Sequence, residues 1–143
     1  GRRDSFAILG GPANDPRSVQ RIAGFRAHTD AARLYSAGSW FVEGGRDQAA
    51  ALLAEKPSGV FACNDRLAEA VITFCRQQRQ PLPPLVGFDN APIAERLRLT
   101  TIGIPWGTMV TEAANLAAAR VAGGTTAARF VSLAHEPVHR LTA

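Results

Sequence analysis

The sequence predicts an α/β fold, a doubly wound parallel sheet, and three observations carry that prediction. Short apolar runs alternate with longer helical patterns, each strand-helix unit recurring after roughly 25 residues, as successive βαβ units do. The runs are apolar throughout instead of alternating, which suits parallel strands buried on both faces. The length of 143 residues is one domain's worth, since domains most often hold roughly 100–150 residues.

Taken in order, residues 5–9 (SFAIL) read as a buried strand that Gly10-Gly11-Pro12 ends. Asp15 then offers an N-cap carboxylate, with Pro16 at the first helical position. Behind it Val19, Ile22, Ala23 and Arg26 keep helical spacing to about Ala32. Residues 34–36 are a weak strand candidate and 37–41 a loop. The run EGGRDQAAALLAE at 43–55 is helical, with alanines and leucines on one stripe. GVFAC at 59–63 is the next strand. Asp65 is read as the cap of a helix, DRLAEAVITFCRQQ, which Gln80-Pro81 and the following prolines end. LVGF at 85–88 is a further strand, 92–96 a short helix and 99–104 an extended piece. Residues 108–122 form a long helix ended by Gly123-Gly124. Residues 130–133 and 138–141 close the chain as two short strands. There are no internal repeats or low-complexity segments.

Composition removes several classes of function. With 46% hydrophobic and 20% charged residues, the chain is neither disordered nor, lacking about 18 consecutive apolar residues, membrane-spanning. Residues 1–9 carry arginines but no apolar core long enough for a secretory signal. The net charge is +4, and Lys56 is the only lysine among its 16 cations. Beyond Arg2-Arg3 the arginines stand apart, in most cases near an acid, so a phosphate-tracking surface is not indicated. Cys63 and Cys75 are too few for a disulfide framework and read as buried, reduced thiols of a cytosolic protein.

Two motifs mislead. His135-Glu136-Pro137-Val138-His139 matches the zinc-protease pattern HExxH, which needs both histidines one helical turn apart. Pro137 between them breaks a helix, and no third ligand follows, so no metal is expected. Gly10-Gly11 follows a strand but completes neither GxGxxG nor a phosphate loop, and no GxSxG elbow exists. Cys63 precedes a helix N-terminus, where a thiolate can be stabilised, yet no histidine partner can be placed beside it. No catalytic set and no cofactor site emerge, so the chain is read as a non-enzyme.

In doubly wound sheets ligands sit beyond the carboxyl ends of the strands. That rule selects 10–21, 38–43, Asn64-Asp65 and Asp89-Asn90, whose residues suit a small polar molecule. Arg21 can fork two hydrogen bonds to hydroxyls or a carboxylate, and Asp89 can accept bonds from vicinal hydroxyls. Asn64 offers donors and an acceptor; Trp40 and Trp106 offer flat apolar faces. On spacing alone Asp89 serves equally as a helix cap and Arg21 as a surface ion pair, while Asp65 reads as structural.

The series Ile8-Leu9-Gly10-Gly11-Pro12, Arg21-Ile22-Ala23-Gly24-Phe25, Val60-Phe61-Ala62-Cys63-Asn64-Asp65, Val86-Gly87-Phe88-Asp89-Asn90 and Leu99-Thr100-Thr101-Ile102 resembles the lactose-repressor/galactose-repressor (LacI/GalR) family of bacterial transcription regulators. The pieces hold register over essentially the whole chain. The resemblance implies one lobe of a periplasmic-binding-protein-like type I fold, in which two lobes joined by three crossing segments hold an effector between them. It implies that 1–103 and 126–143 form the C-terminal lobe. Residues 104–125 would be a crossover and a helix that packs on an N-terminal lobe missing from this chain, or docks elsewhere, or swaps between chains.

Residue by residue, the resemblance makes Arg21 and Asp89 the effector-binding arginine and aspartate. It places Asn64, Trp40 and Trp106 along the pocket, with Arg17 a secondary candidate. Dimer contacts fall on the helix 66–78 and the region after Asp89; the stripe Ala68, Val71, Ile72 and Cys75 is equally a core face. The implied function is the effector-sensing, dimerising portion of a cytoplasmic LacI-type regulator. It would bind a sugar or sugar derivative, and operator DNA through a helix-turn-helix headpiece absent from this chain. A solute-binding protein of a sugar transporter is the alternative, and an enzymatic domain a third reading.

Overall fold

Side-chain alternation along the strands decides which face of the sheet each residue covers. The computed structural model describes residues 5–29, 32–124 and 130–143. Its elements run β1 (Phe6–Gly10), α1 (Pro16–Arg26), β2 (Ala32–Ser36), α2 (Val42–Ala54), β3 (Gly59–Ala62), α3 (Asp65–Gln78), β4 (Leu85–Asp89), α4 (Pro92–Leu97), β5 (Thr100–Gly103), α5 (Trp106–Val121) and β6 (Glu136–Val138). The strand order is β2-β1-β3-β4-β5-β6. The first five strands pair in parallel, and β6 runs antiparallel to β5.

Ala7 and Leu9 of β1, with Val60 and Ala62 of β3, enter a core built with Ala49 and Leu52 of α2 and Leu67, Val71 and Ile72 of α3. Their neighbours Ile8, Phe61 and Cys63 point the other way, into a smaller cluster with Ile22 and Phe25 of α1. Helices therefore cover both faces, as the period of two in the strands requires. Because α1 lies on one face and α2 and α3 on the other, the loops after β1 and β3 diverge. A crevice opens there, at the switch point of the doubly wound sheet.

Several boundaries differ from the sequence reading. Helix α1 ends at Arg26, not near Ala32, and β2 starts at Ala32. The cap of α3 is Asn64, whose side chain accepts from the Leu67 N–H at 2.8 Å; Asp65 is the first helical residue. Of the two closing strands expected at 130–133 and 138–141, the first is irregular and the second is replaced by Glu136–Val138. β6 occupies the free edge of β5, where Pro137 is tolerated. The tail beyond it runs under the sheet through Leu141 N–H to Arg98 O and Leu85 N–H to Thr142 O.

Two further expectations resolve here. Ala68, Val71, Ile72 and Cys75 of α3 are all buried in the core, so that stripe is not free for a partner. The HExxH segment is a strand across Glu136–Val138, which denies its histidines helical spacing. Among the described residues no cluster of three or more His, Cys, Asp or Glu could hold a metal ion. No helix there is long and apolar enough to cross a membrane. Helix α5 stands apart from the core and buries none of its residues, with Val110 two-thirds exposed.

Candidate functional site

Helix α1 and the segments that follow β2, β3, β4 and β5 line a cleft of about 1090 Å³. Arg17, Arg21, Trp40, Asn64, Asp89 and Trp106, the six residues singled out from the sequence, all line it. Trp106 opens α5 and is more than half exposed at the rim.

Arg21 occupies the centre. It sits on the second turn of α1, so its side chain crosses the switch point from one sheet face to the strand ends. One guanidinium nitrogen donates to the Cys63 carbonyl at 2.6 Å, and another lies 2.9 Å from the Asp89 carboxylate. Its carbon stands 4.0 Å from the centroid of the Phe88 ring, a cation–π contact. Three partners, Cys63 just past β3 with Phe88 and Asp89 of β4, thus fix the fork of the guanidinium. Burial pushes the Asp89 carboxyl above its ordinary value, and the facing Arg21 draws it back. The pair leaves donors and acceptors side by side at the cleft wall, an arrangement that matches the hydroxyls of a polyol.

A second network holds the rim. Asp15 caps α1 by accepting from the Arg17 N–H, and its carboxylate pairs with the Arg17 guanidinium at 2.6 Å. The indole N–H of Trp40 donates to the same carboxylate at 2.9 Å. Those hydrogen bonds hold the Asp15 carboxyl well below the usual carboxylate range. Trp40 lies so close to Gly11 that a Cβ there would meet three ring carbons at 2.8 Å. The guanidinium carbons of Arg17 and Arg21 lie 5.0 and 5.6 Å from the indole centroid. Trp40 is therefore a wedge that orients both arginines as well as a wall. The Asn64 amide is largely spent on structure, capping α3 and donating to the Trp40 carbonyl at 3.0 Å.

Asp89 and Asn90 both adopt positive φ, 110° and 54°. Asn tolerates the left-handed region, but Asp at 110° does not, and such residues cost roughly 1–3 kcal/mol each. Spacing carries no trace of this turn. Sequence reasoning also missed Phe88 and His135. Phe88 reads as one more apolar strand residue until the sheet order sets it beside Arg21. The His135 ring lies 5.5 Å from that of Phe88 and lines the cleft, although its motif reads only as a failed metal site. Cys63 is fully buried, and burial pushes its thiol up to about 12, which disfavours the reactive thiolate.

The fold is a doubly wound sheet with an open, largely apolar cleft at its switch point, into which Arg17, Arg21, Asn64 and Asp89 bring polar groups. The family model described as a periplasmic binding protein-like domain matches residues 2–143, and the chain belongs to that family. Among the solved structures it resembles are LacI-family transcriptional regulators. One from a Rhodococcus species shares 26% identity at a TM-score of 0.83, over 97% of this chain and 55% of that one. One from Enterococcus faecium, with bound ribose, shares 26% at 0.85, over 97% and 56%. One from Arthrobacter sp. FB24, in complex with lactose, shares 24% at 0.82, over 99% and 57%, and speaks for the fold alone. This chain spans little more than half the length of these structures. Among curated proteins no sequence match reaches significance.

Proposed function

We propose that this chain is the ligand-sensing, dimerising part of a LacI-type transcriptional regulator, taking a sugar or sugar derivative in the cleft. The observation that carries this reading is the Arg21–Asp89 pair, held at the switch point and open to the cleft. Arg21 donates to the ligand's oxygens and Asp89 accepts from adjacent hydroxyls. Trp40 and Trp106 wall the ring, and Arg17 and Asn64 support the rim. The ribose bound in the Enterococcus faecium regulator points to the same ligand class.

Residues 1–103 and 126–143 make up one lobe, and 104–125 belong to a second lobe across the cleft. That α5 buries none of its residues supports that division. The mechanism is a population shift: ligand closes the lobes and biases a homodimer between DNA-competent and DNA-incompetent forms. DNA is held by a headpiece outside this chain, and no catalytic step is involved. Dimer contacts use the solvent side of α3 and the region after Asp89, because the apolar stripe of α3 is spent on the core.

The test is a thermal-shift screen of the longer parent protein against a panel containing ribose and lactose, repeated with Asp89→Ala. Stabilisation by a sugar, lost in the variant, supports the reading; sugar stabilisation that survives Asp89→Ala overturns the site. The isolated chain, owning one wall of the cleft, is expected to bind the same sugar far more weakly. A secretion signal upstream of this chain, in place of a helix-turn-helix, would favour a transporter's solute-binding protein.

A further inference from the structure

Asp65 is nearly inaccessible to solvent, 1% exposed, and is not part of the cleft wall. Its two carboxylate oxygens divide their work. Oδ1 accepts from the Thr101 hydroxyl at 2.6 Å, anchoring the side chain to β5. Oδ2 accepts from the Ala91 backbone N–H at 2.7 Å, immediately after the left-handed pair Asp89-Asn90. Gly87 of β4 leaves the room that this carboxylate fills, since a Cβ there would strike Oδ1. Arg140, just past β6, donates to the Asn90 side-chain oxygen at 2.9 Å and to the Leu99 carbonyl at 2.8 Å.

A turn with two consecutive non-glycine residues at positive φ relaxes unless its surroundings hold it. We infer that Asp65 is a positioning residue for Asp89, gripping the Ala91 N–H so that the strained turn aims the Asp89 carboxylate at Arg21, with Arg140 as the second clamp. A helix-capping role does not explain the contact, because Asn64 already caps α3. The importance of this positioning for recognition rests on the ligand-binding role proposed for Asp89. The positioning itself is measured without any ligand.

The experiment compares Asp65→Ala, Asp65→Asn, Thr101→Val and Arg140→Met in the full 143-residue chain by nitrogen-15 NMR. The readouts are the backbone amides of Asn90 and Ala91 and the hydrogen exchange of the Arg21 guanidinium. Asp65→Ala is expected to shift both amides and to speed guanidinium exchange roughly tenfold or more, as its pairing with Asp89 opens. Asp65→Asn restores the wild-type pattern, because its amide oxygen can take the Ala91 N–H while its NH₂ faces the Thr101 hydroxyl. Thr101→Val lowers stability without moving the turn, which separates positioning from mere support of the core. If Asp65→Ala does not fold, Arg140→Met decides, and it must shift the Asn90 amide and speed Arg21 exchange. The inference is overturned if Asp65→Ala, or Arg140→Met in its place, leaves Arg21 exchange unchanged. Behaviour of Asp65→Asn identical to Asp65→Ala overturns it as well. Failure of every sugar in the screen, with these shifts present, would count against the proposed function alone.

Discussion

Replacing Arg21 by methionine keeps most of the apolar stem and deletes the guanidinium, so the loss can be worked out contact by contact. The charged bond to the Cys63 carbonyl, 2.6 Å long, is worth roughly 1.5–3 kcal/mol. The guanidinium over Phe88 adds about 0.5–1 kcal/mol at a site this open to water. Removing one member of a fully buried ion pair costs roughly 3–5 kcal/mol. Here the side chains are 15% and 28% exposed, so only a fraction of that applies. Water entering the cleft replaces part of the sum, and the expected net loss is about 2–4 kcal/mol. At roughly 3–5 °C per kcal/mol for a domain of this size, the melting temperature should fall by about 6–20 °C.

The pH dependence sharpens the test. In the wild type, burial raises the Asp89 carboxyl and Arg21 opposes that rise. Without Arg21, only the weaker pull of Arg17 and His135 still opposes burial, and the folded-state pKa climbs further. A carboxyl whose folded pKa exceeds its unfolded value costs stability as pH rises above the ordinary carboxylate range, until the folded pKa is passed. Urea denaturation should therefore show the smallest gap between wild type and Arg21→Met near about pH 4, widening toward neutrality. A double-mutant cycle with Asp89→Asn should give a coupling of roughly 1–3 kcal/mol at pH 7. A gap that is constant across that range, or a coupling under about 0.5 kcal/mol, would refute the reasoning.

Three more outcomes follow from particular atoms. The Ser18 hydroxyl is fully buried in α1 and has no hydrogen-bond partner; Ser18→Ala should leave stability unchanged or raise it by up to about 1 kcal/mol in urea titrations. Gly11→Ala should displace the Trp40 indole, costing roughly 1–3 kcal/mol, and a Trp106→Phe background should reveal it as a red shift in fluorescence. Cys63, buried with its thiol pushed up to about 12, should resist iodoacetamide at a pH of about 8 until denaturant is added. Rapid native labelling of Cys63, read by mass spectrometry, would contradict that placement.

Much of this was legible before any coordinates, and the reasons differ by element. β1 and β3 show plainly because parallel strands buried on both faces leave unbroken apolar runs. Asp15 and Pro16 mark the start of α1 because capping is local, and the structure confirms that cap. At Asn64-Asp65 two good capping residues stand side by side, and only the depth of the Asp65 pocket decides between them. Residues 130–133 are as apolar as a strand, yet every one is at least partly exposed and none pairs, because pairing is a property of neighbours. The same holds at the site. Strand-end position and motif single out Arg21 and Asp89, whereas Phe88, His135 and the two clamps on the turn need strand order and register. Trp40 and Asn64 also serve the site's own framework, the indole N–H bonding Asp15 and the Asn64 amide bonding the Trp40 carbonyl.

The pairing of β5 with β6 has a consequence for chain topology. Gly103 and Glu136 are direct cross-strand partners in that antiparallel ladder, so everything between them leaves and re-enters the sheet at one point. Residues 104–135 are therefore an insertion at the tip of what would otherwise be a plain hairpin. A two-residue Asn-Gly turn could close that tip, since such turns match the twist of antiparallel strands. The sheet, with Arg140 and Thr142 still tied beneath β4 and β5, would keep its hydrogen bonds. Evolution or an engineer could thus exchange the inserted segment, as loops are exchanged on any rigid host, without rebuilding the fold that carries Arg21 and Asp89.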